Sequence, residues 1–325
     1  MKALQFSRFG SPDEVVELAD VPEPGAHGPG EVLVAPEYAP INHSEILRIQ
    51  GRYPLRPASF PAIAGNEAVG RILSVGSGVQ VLKPGDRVLV PPPHATWREQ
   101  LVLPAVGLFP LPAGADRQQL SMISINPPTA ALLLSEYVEL KRGDWVLQNA
   151  GNSGVGRSVI AFASHRGLRT VSIVRRPELV NELRGLGADV VLVDGPDVRS
   201  RVAEATSGGP IRLAIDGVSG QSTATLSGCL APGGVVVLYS ILSGHSGVAD
   251  GLDLIFRDIA IRGFWLYSAP YQGSPKAVEA MKLGAQLVAE DKLHFPIAAI
   301  YPLTAAREAL RHALKGGKVL FEIAA

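Results

Sequence analysis

Ala150-Gly151-Asn152-Ser153-Gly154-Val155-Gly156 follows the apolar run Trp145-Val146-Leu147-Gln148-Asn149 and precedes Ser158-Val159-Ile160-Ala161-Phe162-Ala163. The reading is strand, glycine-rich turn, helix. Glycines let a backbone approach a pyrophosphate, and the following helix offers free N–H groups and the positive end of its dipole. The positions of a G-x-G-x-x-G fingerprint fall on Gly151, Ser153 and Gly156, so the middle glycine is replaced. An ordinary tight turn between strand and helix would carry the same residues.

The next strand adds to the reading. Arg169-Thr170-Val171-Ser172-Ile173-Val174 is β-branched and apolar and runs into Arg175-Arg176. An NAD site places an acid on the ribose 2′-hydroxyl about 20 residues past the glycines. Here two guanidiniums stand in that region. Arginine grips phosphate oxygens in pairs, which favours a 2′-phosphate and hence NADP(H). A solvated helix start at Pro177-Glu178 is the alternative.

The pattern continues outward. Strand-like runs at 145–149, 170–174, 189–193, 211–215 and 234–239 alternate with helical stretches, the signature of a parallel doubly wound sheet. Before residue 116 the chain reads as short strands, at 31–35, 68–75 and 87–90, separated by Gly76-Ser77-Gly78 and Lys83-Pro84-Gly85-Asp86. A small barrel is expected there. Asp116 is placed to cap a helix over 118–123, Pro127 and Pro128 to interrupt it, and a new helix to run over 129–138. Beyond come a strand at 261–266, helices near 275–289 and 304–314, and a last strand at 318–323.

Composition narrows the function classes. The chain has 325 residues, enough for two domains, with 30 Lys+Arg against 30 Asp+Glu and one cysteine, Cys229. Zero net charge and the lack of a basic stripe argue against nucleic acid. One cysteine permits neither an intrachain disulfide nor a multi-cysteine zinc site. The N-terminus reads as a strand rather than a signal peptide, and no apolar run has membrane-spanning length. A soluble cytoplasmic enzyme is the expectation.

Several motifs occur together and in order: Ile49-Gln50-Gly51-Arg52-Tyr53-Pro54, Pro61-Ala62-Ile63-Ala64-Gly65-Asn66-Glu67, Ala95-Thr96-Trp97-Arg98-Glu99, Ser124-Ile125-Asn126-Pro127-Pro128-Thr129-Ala130, Asn152-Ser153-Gly154-Val155-Gly156 and Arg262-Gly263-Phe264-Trp265-Leu266. With the barrel-then-Rossmann order they resemble the medium-chain dehydrogenase/reductase superfamily, and within it the zinc-independent trans-2-enoyl-thioester (CoA or acyl-carrier-protein) reductases. The resemblance implies an α/β chain. A Rossmann doubly wound parallel-sheet domain at 116–266 would join a β-rich GroES-like catalytic domain formed by 1–115 and 267–325.

In the zinc dehydrogenases of the superfamily a Cys and a His of the first domain bind the metal. The similar segments here carry Asn42 and Asn66, and asparagine is a poor zinc ligand. The resemblance therefore implies no metal, although His43 and Glu67 lie beside those positions. It also implies roles for other residues. Tyr53 would be proton donor or enolate stabiliser, Trp97 a pocket wall or support for Tyr53, and Asn42 a holder of water or of the tyrosine loop. For NADP(H), it implies Asn126 at the nicotinamide ribose, Asn152, Ser153, Gly154 and Val155 at the pyrophosphate, and Arg175 and Arg176 at the 2′-phosphate. Tyr239, Ser240, Ile241 and Leu242 would end a strand at the cofactor. Phe264, Trp265 and Leu266 would border the nicotinamide, and Lys318 would be a cofactor-side lysine. The family's acid between its two arginines is missing, because Arg175 and Arg176 are adjacent.

The substrate implied is an acyl thioester, with Arg48, Arg52 and Arg56 as candidate contacts for CoA phosphates, and the assembly a homodimer paired through the 259–266 strand. Two alternatives share the fold: an NADPH:quinone or alkenal reductase, and a non-catalytic NADPH-binding regulatory protein.

Overall fold

The computed structural model describes residues 1–324 and divides the chain into two compact units, Met1–Ile125 with Phe295 onward, and Asn126–His294.

The first unit is β-rich. In chain order it contains β1 (Lys2–Phe6), α1 (Pro12–Val15), β2 (Val16–Asp20), β3 (Glu31–Ile41), α2 (His43–Ile49), β4 (Ala62–Ile63), β5 (Ala68–Val75), β6 (Arg87–Val90), β7 (Leu101–Pro104) and α3 (Arg117–Leu120). Its sheet runs β14-β15-β3-β5-β6 with β7 on β3, where β14 (Ile297–Pro302) and β15 (Lys318–Glu322) are the returning C-terminal strands. Val32, Val34, Ala39, Ile41, Ile72, Val88, Trp97 and Phe321 fill its core. The strand β3 is long, and its last residues lead straight into Asn42 and α2, so the end of β3 fixes where α2 begins.

The second unit holds α4 (Asn126–Leu133), β8 (Trp145–Asn149), α5 (Gly154–Arg166), β9 (Arg169–Val174), α6 (Leu179–Gly185), β10 (Val190–Val193), α7 (Val198–Ala205), β11 (Ile211–Asp216), α8 (Gln221–Ser227), β12 (Val235–Leu238), α9 (Gly251–Phe256), β13 (Ala260–Gly263) and α10 (Pro275–Ala289). Every pairing in its sheet is parallel, in the order β10-β9-β8-β11-β12-β13. Counted within the unit, this is the 3-2-1-4-5-6 order of dinucleotide-binding sheets, and the order reverses between β8 and β11. The last helix, α11 (Ala306–Lys315), belongs to the first unit.

Three sequence expectations need correction. The prolines do not interrupt a helix: Pro127 and Pro128 lie in the first turn of α4, which starts at Asn126 and ends at Leu133. Backbone N–H groups have no intrahelical partner there, so proline loses nothing. The strand expected to reach Leu266 stops at Gly263, and Phe264–Leu266 continue past it. The compact units part at Ile125/Asn126 and His294/Phe295, not at 115/116 and 266/267. Packing accounts for this. Helix α10 lies against α4, which keeps 267–294 with the parallel sheet. The Gln119 side chain both donates to Phe295 O (3.0 Å) and accepts from Phe295 N (2.7 Å), tying α3 to the returning chain.

Candidate active site

In the parallel-sheet unit the candidate residues gather because the strands all point one way. Asn152–Val155 follow β8, Arg175 and Arg176 follow β9, Tyr239–Leu242 follow β12, and Phe264–Leu266 follow β13. All lie at the carboxyl ends of strands, where open α/β sheets bind ligands.

The glycine-rich turn is tight. Ser153 caps α5, its Oγ accepting from Gly156 N at 3.1 Å. A Cβ on Gly156 would lie 2.5 Å from Ala150 O, and one on Gly154 would lie 2.7 Å from Asn126. Side chains there would break the close approach of helix to strand and the approach of Asn126 to the helix start. Thirteen residues of α5 stand behind its N-terminus, and the dipole of such a helix favours an anion at that end. Tyr239 Oη lies 3.3 Å from Ser153 Oγ, and burial pushes its phenol up to about 12. Arg175 and Arg176 are exposed, with Arg176 3.6 Å from Glu178. Phe264 is buried against Tyr271, ring centres 5.1 Å apart. The cradle, the helix end and the two cations fit a phosphorylated dinucleotide.

Sequence reading missed three residues here. Asn149 ends β8 and Asp216 ends β11, the two strands between which the order reverses. Asn149 Nδ2 donates to Asp216 Oδ1 (2.7 Å), and Asn149 Oδ1 accepts from Gly217 N (2.7 Å). Asp216 also accepts from Val218 N, Ser219 N and Thr223 Oγ1. A fully buried carboxylate with this many donors is satisfied, and it pins the floor of the crevice. Arg157 is buried in the first turn of α5, bonds Asn152 O at 3.1 Å and pairs with Glu182. The signal for Arg157 was its place in the first turn after the glycines. For Asn149 and Asp216 the sequence offered only two polar strand ends.

In the β-rich unit, Asn42 is the centre of a buried polar cluster. Asn42 Nδ2 donates to Glu67 Oε1 at 2.8 Å, and Asn42 Oδ1 accepts from Lys318 Nζ at 2.5 Å. Glu67 Oε2 accepts from Ser124 N at 3.0 Å. Glu45, on α2, accepts from Asn42 N at 2.8 Å through Oε2, while its Oε1 is buried without a partner. Burial pushes Glu67 up to about 8 and Glu45 to about 7, and it pushes Lys318 down. Both Glu67 oxygens accept from N–H donors, which is the arrangement of a carboxylate. Lys318 thus lies on the β-rich unit, engaged by Asn42. Asn66 is buried beside Glu67.

Tyr53 is half-buried on the turn after α2, where Arg52 N bonds Leu47 O at 2.8 Å. Trp97 departs from expectation. It has no exposed surface and packs edge-on against Phe321, centroids 4.9 Å apart. A side chain so enclosed offers no face to a substrate, so Trp97 is core rather than pocket wall. Arg52 and Arg56 are exposed, and Arg56 lies over the Phe9 ring at 5.5 Å.

Two family models match the chain: an alcohol dehydrogenase GroES-like domain over residues 28–112 and a zinc-binding dehydrogenase over residues 154–286. The mitochondrial enoyl-(acyl-carrier-protein) reductase of Mus musculus is 37% identical over 328 residues, 97% of this chain and 86% of the relative. That of Homo sapiens is 36% identical over 324 residues, with the same coverage. Among solved structures, the mitochondrial 2-enoyl thioester reductase heterodimer Etr1p/Etr2p of Candida tropicalis superposes with a TM-score of 0.87 at 26% identity, covering 99% of both chains. A complex of Etr1p with NADP and crotonyl-CoA gives the same values. A quinone oxidoreductase of Pseudomonas syringae gives 0.83 at 27%, again covering 99% of both.

Fold and site thus define a medium-chain dehydrogenase/reductase, an oxidoreductase with a GroES-like and a Rossmann unit. Within that superfamily the chain belongs to the family of the enoyl-(acyl-carrier-protein) reductases.

The name of one family model raises zinc, and the residues do not fit it. Both ends of the Asn42 amide are already engaged, one of them by an ammonium, which would repel a dication. Among the described residues no group of three or more His, Cys, Asp or Glu is placed to hold a metal ion.

Proposed function

We propose that the protein reduces trans-2-enoyl thioesters, on CoA or acyl carrier protein, at the expense of NADPH. The observation that carries this is 36–37% identity along 97% of the chain to enoyl-(acyl-carrier-protein) reductases. When bound, the nicotinamide cofactor supplies a hydride to the β-carbon of the substrate. The chain's own residues do the rest. The α5 N-terminus with Ser153 and Gly154 holds the pyrophosphate, Asn126 the ribose beside it, and Arg175 and Arg176 the 2′-phosphate. Negative charge develops on the thioester oxygen as the hydride adds. The Tyr53 hydroxyl donates to that oxygen and yields the proton that goes to the α-carbon and completes the saturated product.

The test is NADPH oxidation followed by absorbance with trans-2-enoyl-CoA, with NADH and a simple quinone in parallel. Turnover of the thioester, preferring NADPH, is the expected result. Turnover of the quinone alone would move the protein to the quinone reductase branch, which the Pseudomonas structure supports at nearly the same fold similarity.

A homodimer is part of this reading. It is supported by β13, which ends its sheet with one edge open, and by the adjoining apolar residues Leu252, Ile255 and Phe256, 65%, 73% and 76% exposed. As to location, no helix of the described residues is long and apolar enough to cross a membrane. The mitochondrial names of the relatives weigh against the cytoplasmic expectation, which rested on composition.

A further inference from the structure

Glu67 has no role in the chemistry just described, yet it is fully buried and joins three separated segments of the β-rich unit. It takes the Ser124 N–H with one oxygen and the Asn42 amide with the other, and the backbone carbonyl of Glu67 accepts from Thr96 Oγ1 at 3.0 Å. The Asn42 amide cannot be turned round. Its NH2 must face the carboxylate and its oxygen the ammonium, because Lys318 has nothing but donors and Glu67 ionised has nothing but acceptors. The result is a chain of carboxylate, amide and ammonium from the segment before β5, across the end of β3, to the start of β15.

We propose that Glu67 is a positioning residue for the reaction, orienting the Asn42 amide so that its oxygen grips Lys318 and fixes one ammonium at the end of β3. The fixed cation lowers the cost of negative charge on a bound thioester oxygen. This part of the inference rests on the enoyl-thioester reading, whereas the hold on Lys318 does not.

Two carboxyl groups bear on the Lys318 charge. Glu67 faces it from the segment before β5 and Glu45 from α2, with Arg48 on α2 facing Glu45 in turn. Burial pushes the ammonium toward losing its proton, and the two carboxyls oppose that. Removing the Glu67 charge leaves burial less opposed. Lys318 would then lose its proton at lower pH, and Asn42 would be free to turn.

The experiment uses the full chain labelled with 15N-lysine, free of cofactor, with the Lys318 Nζ resonance assigned by its loss in Lys318→Arg. In Glu67→Gln the Lys318 titration midpoint should fall by about one pH unit, the scale of losing one neighbouring opposite charge. Glu67→Asp, which keeps the charge, should restore most of it. In turnover with trans-2-enoyl-CoA, Glu67→Gln should lower kcat about tenfold and move the alkaline limb of the pH profile down with the NMR midpoint. KM for NADPH should stay within about twofold. An unmoved midpoint and unmoved limb, with only a lower Tm, would overturn the proposal and make Glu67 a structural tie. If Glu67→Gln does not fold, Asn42→Ala decides by the same two readouts: it cuts the relay between Glu67 and Lys318, so the midpoint should fall, and an unmoved midpoint overturns the proposal. Failure of the wild type to reduce any enoyl thioester sinks the functional reading alone, because the NMR midpoints still report on the hold.

Discussion

A carboxyl group buried beside another carboxyl sets a stability that depends on pH, and Glu45 is the clearest case. Its ordinary value of 4.5 rises to about 7 in the folded chain, chiefly by burial. The folded state therefore binds this proton more tightly than the unfolded state. The stability it contributes is full below about pH 4.5 and is lost as pH climbs to about 7. Glu45→Gln, which carries no proton to lose and can still accept from Asn42 N, should flatten the fall in Tm between pH 5 and 8. It should also unfold a few degrees above wild type at pH 8. A variant with the same slope as wild type would show that Glu45 is ionised throughout. Tyr53 belongs to the same scale. Tyr53→Phe should lower kcat roughly 10- to 1000-fold while NADPH affinity is unchanged, from the usual worth of a general acid or oxyanion donor. Unchanged kcat would remove the assigned role. Tyr53 is a candidate only through its neighbours, since Arg-Tyr-Pro alone describes any surface turn. Glu45 and Glu67 were not legible as a cluster at all. They join Lys318 only because β15 returns from the far end of the chain to pair with β3.

Elements were easier to read than side chains, and the reason is periodicity. Runs such as 145–149 and 68–75 match the observed strands because a buried strand of a parallel sheet is continuously apolar and a barrel strand is bounded by glycine turns. Misreadings fell where one residue serves two purposes. Pro127 and Pro128 read as breakers but start α4, and Phe264-Trp265-Leu266 read as strand because aromatic residues past a strand end look like strand. At the end of β9 the element itself makes a prediction. Arg175 and Arg176 emerge there into solvent with one exposed partner, Glu178. Charge-assisted bonds to a phosphate contribute about 1.5–3 kcal/mol. Alanine at either arginine should therefore raise KM for NADPH about 10- to 100-fold and leave KM for NADH unchanged, measured with one thioester substrate. Because the two are adjacent in a turn, one of them should carry most of the effect. Equal losses for NADPH and NADH would instead mean that the arginines hold the turn and not the 2′-phosphate.

At the scale of the whole molecule the open question is how the sheet of the second unit ends. Backbone bonds from Ala260 N to Gly234 O and from Phe264 N to Leu238 O point toward β12. By the alternation of a strand, the N–H groups of Ile261 and Gly263 point outward. An open edge flanked by Leu252, Ile255 and Phe256 is an aggregation hazard unless a strand covers it. In the proposed homodimer a second copy related by a twofold axis would cover it with the same strand, antiparallel, and would bury both α9 helices at once. Light scattering on the eluting protein at micromolar concentration should give twice the chain mass of 34.2 kDa. Phe256→Glu places a charge in the apolar contact, and Ile261→Pro removes an outward N–H without touching the ladder to β12. Either should shift the mass toward the monomer, with the isolated Phe256→Glu chain still folded by circular dichroism. A wild-type monomer at that concentration would defeat the dimer. So would a dimer indifferent to both substitutions, because the contact would then lie on another face.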